Sequence, residues 1–154
     1  MAKESAGILL FRRSPGIQVL LVHPGGPYFV RKDSGSWTIP KGEFSPSEDA
    51  LEAAKREFLE ETGFSVDGTF IRLPSIRQKG GKRVHAWALE GDIDPLAIRS
   101  NTFTIPWPPR SGKLQTFPEI DRAEWFGIAE AREKINPAQA EWLTGEPIAN
   151  LLPI

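Results

Sequence analysis

The sequence contains no cysteine, so thiol nucleophiles, thiolate metal sites and disulfides are excluded as sources of activity or stability. Histidine is scarce as well: His23 and His85 stand alone, without the spacing of a zinc site, and are expected to be structural. Neither sign of charge predominates. With 19 Lys+Arg against 20 Asp+Glu the net charge is −1, which supplies no broad positive field for a nucleic-acid polymer. Long apolar runs are missing, since Gly7–Phe11 and Val19–Val22 fall far short of the roughly 18 residues that cross a bilayer. Nothing near Met1 has the layout of a secretory signal. These absences predict a cytoplasmic protein with no membrane contact and leave small anionic ligands open as partners. At 154 residues the chain is expected to form one domain over 1–154. A chain of this size can bury roughly 70% of its unfolded surface and needs no cross-link.

What is present divides into strand-like and helix-like stretches. Ser5–Arg13 and Gly16–His23 are β-branched and leucine-rich and flank Ser14-Pro15-Gly16, a hairpin signal. A short strand is expected at Trp37–Ile39. From Pro46 the pattern turns helical, with Ser45 or Ser47 as the expected cap and Gly63 as a left-handed stop. Thr69–Gln78 and Arg83–Glu90 around Lys79-Gly80-Gly81-Lys82 predict a second hairpin. Asp94–Pro118 holds five prolines and no sustained period, so it reads as a long loop and a candidate substrate flap. A last strand at Arg122–Phe126 leads into a helix at Ile128–Ile135, and Pro137–Leu143 starts another that ends near Gly145.

The first helix carries Arg56-Glu57-Phe58-Leu59-Glu60-Glu61-Thr62-Gly63. At about 100° per residue, Glu57 and Glu61 lie about 40° apart, with Glu60 about 60° to the other side. Leu51, Ala54, Phe58 and Thr62 form an adjoining apolar stripe, which places the acids at the edge of the buried face. Three like charges on one stripe cost free energy unless a cation neutralises them, and oxygen-only ligands suit Mg²⁺ or Mn²⁺. The companion of such an ion is a phosphate. The competing reading, a solvated acidic face with i,i+4 partners, is common on helices.

The upstream residues decide between them. From Gly42 the chain runs through Glu48 to Arg56-Glu57 and on to Gly63-Phe64, and here it resembles the Nudix hydrolases, meeting every defined position of their 23-residue signature over Gly42–Phe64. The resemblance extends from Ser5 to about Ile135. It implies an α/β fold, an α/β/α sandwich with a mixed sheet and the signature as loop, helix, loop.

The resemblance also implies roles. Glu57, Glu60 and Glu61 become the divalent-metal ligands, joined by the Lys41 carbonyl, and Arg56 orients the glutamates through its planar fork of donors. Glu48, about 180° from Glu57 around an ideal helix, is expected as an outer ligand or an ion-pair partner. Gly42 lets the loop approach the metal and Gly63 ends the helix. Glu119, six residues before Trp125, is the candidate glutamate from outside the signature, with Glu124 second; Glu57 competes with it as the base that takes the proton from water. For substrate, Lys41 is a candidate phosphate contact, and Tyr28, Trp107 and Phe117 are loop aromatics on which a purine can stack. Arg31, Lys79, Lys82, Arg83 and Arg110 are further cations for phosphate.

The expected activity is hydrolysis of a phosphoanhydride in a nucleoside diphosphate linked to another moiety. Trp37–Gly42 and Phe117–Phe126 look most like family members acting on dinucleoside polyphosphates such as diadenosine tetraphosphate. Nucleoside triphosphate and ADP-ribose pyrophosphohydrolysis are the alternatives within the family. A non-catalytic nucleotide-binding sensor and a protein-interaction module are the alternatives from other classes. The expected partner is a small nucleotide, and the sequence leaves the oligomeric state open.

Overall fold

The computed structural model describes residues 3–13, 16–78 and 80–145. Two adjoining strands, β1 (Glu4–Arg13) and β2 (Ile17–Pro24), form the expected antiparallel hairpin, with Phe11 opposite Val19. Ser14 and Pro15 of its turn lie outside the described residues, as does Lys79. β1 is the spine of the sheet. Besides β2 it pairs with the short β3 (Lys41–Glu43), and from Glu4 to Phe11 it runs parallel to the whole of β6 (Arg83–Glu90). β2 pairs in turn with β9 (Ile120–Gly127), and β6 also carries β4 (Ile71–Arg72) and β5 (Ile76–Arg77). One parallel pairing among antiparallel ones makes the sheet mixed, as expected.

Strand alternation sorts the apolar residues of this sheet into two cores. Ala6, Ile8 and Leu10 of β1 face one way, with Leu20, Val22 and Leu89, and pack against Ala53, Ala54 and Phe58 of helix α1 (Ala50–Thr62). Leu9, Phe11, Val19, Leu21 and Phe126 face the other way, against Ala131, Ile135, Trp142 and Leu143. Those residues come from α2 (Ile128–Lys134), from its C-cap Ile135 and from a 3₁₀ helix at Pro137–Leu143. Helix, sheet and helix are the layers of the sandwich. Because both faces are covered, β1 is buried from Ser5 to Phe11, the pattern of a central strand.

Five expectations about local structure are corrected. The α1 cap is Asp49, whose carboxylate accepts the Glu52 N–H at 3.1 Å, while Ser45 and Ser47 bond each other at 3.0 Å. Trp37–Ile39 is not a strand but two isolated bridges, Thr38 to Val22 and Trp37 to Ile135, and regular pairing resumes at Lys41. The Thr69–Gln78 arm pairs with β6 but splits into β4 and β5, because Pro74 has no N–H to give to the ladder. The segment Pro137–Leu143 is 3₁₀, not α.

The largest correction concerns 94–118. After a 3₁₀ turn at Pro95–Ala97, this stretch forms a two-stranded hairpin of β7 (Thr102–Pro106) and β8 (Leu114–Pro118). The alternation of Thr102-Phe103-Thr104-Ile105 was the signal, hidden by the surrounding prolines. Phe103 pairs with Phe117 and Thr104 with Thr116, so the aromatic faces coincide. The helix stop at Gly63 is as expected: its φ is 82° and its N–H returns to the Leu59 carbonyl. Among the described residues no helix is long and apolar enough to cross a membrane.

Candidate active site

The α1 glutamates sit where the last turns of that helix pass the free edge of β3. The register of β3 on β1 puts Gly42 opposite Ala6, on the α1 face, and the Glu57 carboxylate fills the space a side chain there would take. A Cβ on Gly42 would lie 2.1 Å from Glu57 Cδ and Oε2. Gly42 is therefore demanded by room for a carboxylate. One residue earlier, the Lys41 N–H donates to Glu61 Oε1 at 3.3 Å, so the β3 edge holds the second acid through its backbone.

Arg56 organises the others. Its Nε and Nη2 donate to the two oxygens of Glu48 at 2.9 and 3.1 Å, while Nη1 donates to Glu57 Oε1 at 2.9 Å and to Glu60 Oε1 at 3.1 Å. Glu48 is thus the ion-pair partner, and the planar fork that it anchors aims one nitrogen at two acids. The hydrogen bond from Arg56 holds the Glu48 carboxyl below the usual carboxylate range, and Glu48 in turn raises the Arg56 guanidinium.

These residues open on a pocket of about 440 Å³ lined by Lys41, Gly42, Glu57, Glu60, Glu61 and Glu119, together with Ser5, Glu43, Lys82 and Asn101. Of the residues expected at the site, the first six and Lys82 meet here. Glu119 arrives just ahead of β9; its backbone is tied by Glu119 N–H to the Asn101 carbonyl and by Gly25 N–H to the Glu119 carbonyl, both at 2.8 Å. Lys82 is held over the pocket by Glu43 at 3.0 Å.

The electrostatics are those of crowded, partly buried negative charge. Burial, then the neighbouring Glu57, pushes the Glu61 carboxyl up to about 8. Burial, then Glu60, raises Glu57, and burial alone raises Glu119. Burial, then the nearby Lys82 ammonium, lowers Lys41. The protein brings five carboxylates to one pocket, of which Glu43 is paired with Lys82 while Glu61 and Glu119 have no cationic hydrogen-bond partner, a donor set that fits a hard divalent cation. Among the described residues no three acidic or histidine side chains stand as a ready-made ligand cage. The Glu57 and Glu60 oxygens are turned to Arg56 instead, so side-chain rotation has to complete any such set.

Other expected residues lie elsewhere. Tyr28 and Trp107 meet edge to face, with centroids 5.2 Å apart, and Phe117 meets Phe103 of the β7–β8 hairpin at 5.9 Å with tilted rings; none of Tyr28, Trp107 and Phe117 lines the pocket. Arg31, Arg83 and Arg110 do not line the pocket, and Glu124 lines a different, smaller one. His23 is buried between Asp121 and the Lys32 carbonyl, and His85 bonds Glu4 at 2.9 Å, so both are structural. Ser5, Glu43 and Asn101 were not anticipated. Asn101 immediately precedes the alternation of β7, the one signal that marks its place.

The family model described as "NUDIX domain" matches residues 1–145. An RNA pyrophosphohydrolase of Rhizobium meliloti is 34% identical over 118 residues, which cover 66% of this chain and 64% of that protein. The chain spans between 30% and 64% of the length of the curated relatives it matches. Among solved structures, the Ap4A hydrolase of C. elegans aligns with a TM-score of 0.66 at 21% identity, over 99% of this chain and 100% of that one. The NUDIX domain of Shewanella oneidensis NrtR, solved with ADP ribose, aligns at 0.65 and 15% identity, over 99% and 90%.

Proposed function

Because the chain belongs to the NUDIX family, we propose that it is a divalent-metal-dependent pyrophosphohydrolase that cleaves a phosphoanhydride in a nucleoside diphosphate joined to a second moiety. The observation that carries this reading is the pocket in which Glu57, Glu60, Glu61 and Glu119 meet beneath Lys41 and Lys82. Glu57, Glu60, Glu61 and the Lys41 carbonyl are the groups that would hold Mg²⁺ or Mn²⁺. Such an ion, when bound, lowers the pKa of water and offsets the charge on a reacting phosphate.

The chain's own residues supply the rest. Arg56 keeps Glu57 and Glu60 oriented through its anchor on Glu48. Glu119 takes the proton from the attacking water. Among the described residues its carboxylate has no hydrogen-bond partner, and burial raises its proton affinity, whereas an oxygen of Glu57 is taken by Arg56. The Lys41 and Lys82 ammonium groups hold substrate phosphate. Tyr28, Trp107 and Phe117 offer ring faces and edges to a base outside the pocket, which favours a substrate long enough to reach them from the cleaved phosphate. A dinucleoside polyphosphate such as diadenosine tetraphosphate is accordingly the first substrate to test. The C. elegans likeness points the same way but, at its identity, carries only the fold.

The test is turnover of diadenosine tetraphosphate, nucleoside triphosphates and ADP-ribose by purified protein with Mg²⁺, with both products identified. Two phosphorylated fragments from the dinucleotide, at higher kcat/KM than from the other two, support the full reading. Preference for a triphosphate or ADP-ribose retains the hydrolase and reassigns the substrate. Binding without turnover of any of them would identify a sensor.

A further inference from the structure

The segment 99–101 is irregular backbone pinned both to the end of α1 and to the residues that enter β9. Helix α1 ends with carbonyls that have no partner within the helix. Two of them are taken from outside: Arg99 N–H donates to the Thr62 carbonyl and Asn101 N–H to the Glu60 carbonyl, each at 2.8 Å. The Asn101 carbonyl then accepts the Glu119 N–H at 2.8 Å, and the Ser100 hydroxyl accepts the Ile120 N–H at 3.0 Å. Asn101 therefore bridges, through its backbone alone, the residues that carry two of the pocket's acids.

Its side chain is not part of this bridge. Asn101 is exposed and lines the pocket with Glu57, Glu60, Glu61 and Glu119, and among the described residues its carboxamide has no hydrogen-bond partner, so its donors are open to a ligand. Its backbone is held on both sides, so little ordering entropy opposes its use by a ligand. The residue type suits the surroundings. A lysine there would repel a cation held by the acids, and an aspartate would repel a phosphate. A carboxamide presents two N–H donors and no net charge.

We propose that Asn101 is a substrate-binding residue whose Nδ2 donates to a non-bridging phosphate oxygen, on the side of the pocket formed by Glu60 and Glu119. This rests on the phosphoanhydride reading of the pocket. Together with Lys41 and Lys82 it gives the phosphate chain the hydrogen-bond donors that the carboxylates do not supply.

The test uses the full chain with Mg²⁺, in Asn101→Ala and Asn101→Asp variants. A hydrogen bond made to phosphate in both ground state and transition state raises KM and leaves kcat nearly unchanged when removed. Asn101→Ala should raise KM for diadenosine tetraphosphate about tenfold, and Asn101→Asp more, since it adds repulsion. Melting temperatures should stay within about 2 °C of wild type, because every bond of the bridge is made by backbone or by Ser100. Wild-type KM in both variants overturns the proposal, as does a KM increase accompanied by a loss of more than about 5 °C, the mark of a structural role. Calorimetric binding of Mg²⁺-pyrophosphate separates this proposal from the hydrolase reading. If wild type binds pyrophosphate but turns over no nucleotide, the hydrolase reading fails; weaker pyrophosphate binding by Asn101→Ala then still upholds the role of Asn101, and equal binding overturns it.

Discussion

Replacing Glu61 by glutamine should stabilise the metal-free protein in alkaline solution while removing its activity. Glu61 has an ordinary carboxyl value of 4.5 when unfolded and is pushed up to about 8 by burial and by Glu57 when folded. Between those values the folded chain holds a proton that the unfolded chain has released, so stability falls as pH rises through this window and levels off above it. At 1.36 kcal/mol per unit the full linkage is about 5 kcal/mol. Water at the open mouth of the pocket screens part of it, and about 1–3 kcal/mol is the expected loss in wild type. Glutamine cannot ionise, yet its Oε1 can still accept the Lys41 N–H that Glu61 accepts. In EDTA, Glu61→Gln and wild type should therefore melt together near pH 5, and the variant should melt about 3–10 °C higher near pH 8. Saturating Mg²⁺ should then raise wild type more than the variant, since only wild type keeps the full ligand set. Urea or thermal denaturation at the two pH values, with and without Mg²⁺, measures all four quantities. A variant less stable than wild type by the same amount at both pH values would refute the reasoning, because Glu61 would then be an ionised, favourably paired group.

Three further outcomes follow from contacts at the site. Gly42→Ala places a methyl 2.1 Å from the Glu57 carboxylate, where ordinary contact begins at 3.4 Å, so Glu57 must leave its position; kcat should fall about 10²-fold or more while far-UV circular dichroism is unchanged. Arg56→Lys cannot hold Glu48 with two nitrogens and reach Glu57 and Glu60 with a third, so turnover should drop about 10–10²-fold, with Glu48→Gln milder, by steady-state kinetics. Trp107→Ala and Tyr28→Ala should each raise KM for a dinucleoside polyphosphate about five- to fiftyfold, as expected for loss of a stacked base, and leave calorimetric binding of inorganic pyrophosphate unaltered.

How much was legible in the chain differs between these parts. The spacing of Glu57, Glu60 and Glu61 on a helix, and of Gly42, Glu48 and Gly63 around it, is local: helical period and turn chemistry fix their relative positions within one element. The glycine stop was readable because its left-handed φ is a property of the residue. The cap is not readable because two serines and an aspartate compete over the five positions 45–49 and only the path of the chain selects Asp49. The β7–β8 hairpin was missed because proline in its strands and turn masked a two-residue period over only a few positions.

From its residues alone the chain determined strand-like runs around one acidic helix suited to a hard cation, because strand alternation and helical geometry act over short distances; the sandwich was implied by the family resemblance. Only the tertiary structure decided that Glu61 is held by the edge of β3, that Glu119 is the acid brought in from afar, and that Asn101 ties it to the end of α1. Those relations join residues many positions apart through backbone hydrogen bonds, and a backbone N–H leaves no mark on residue identity.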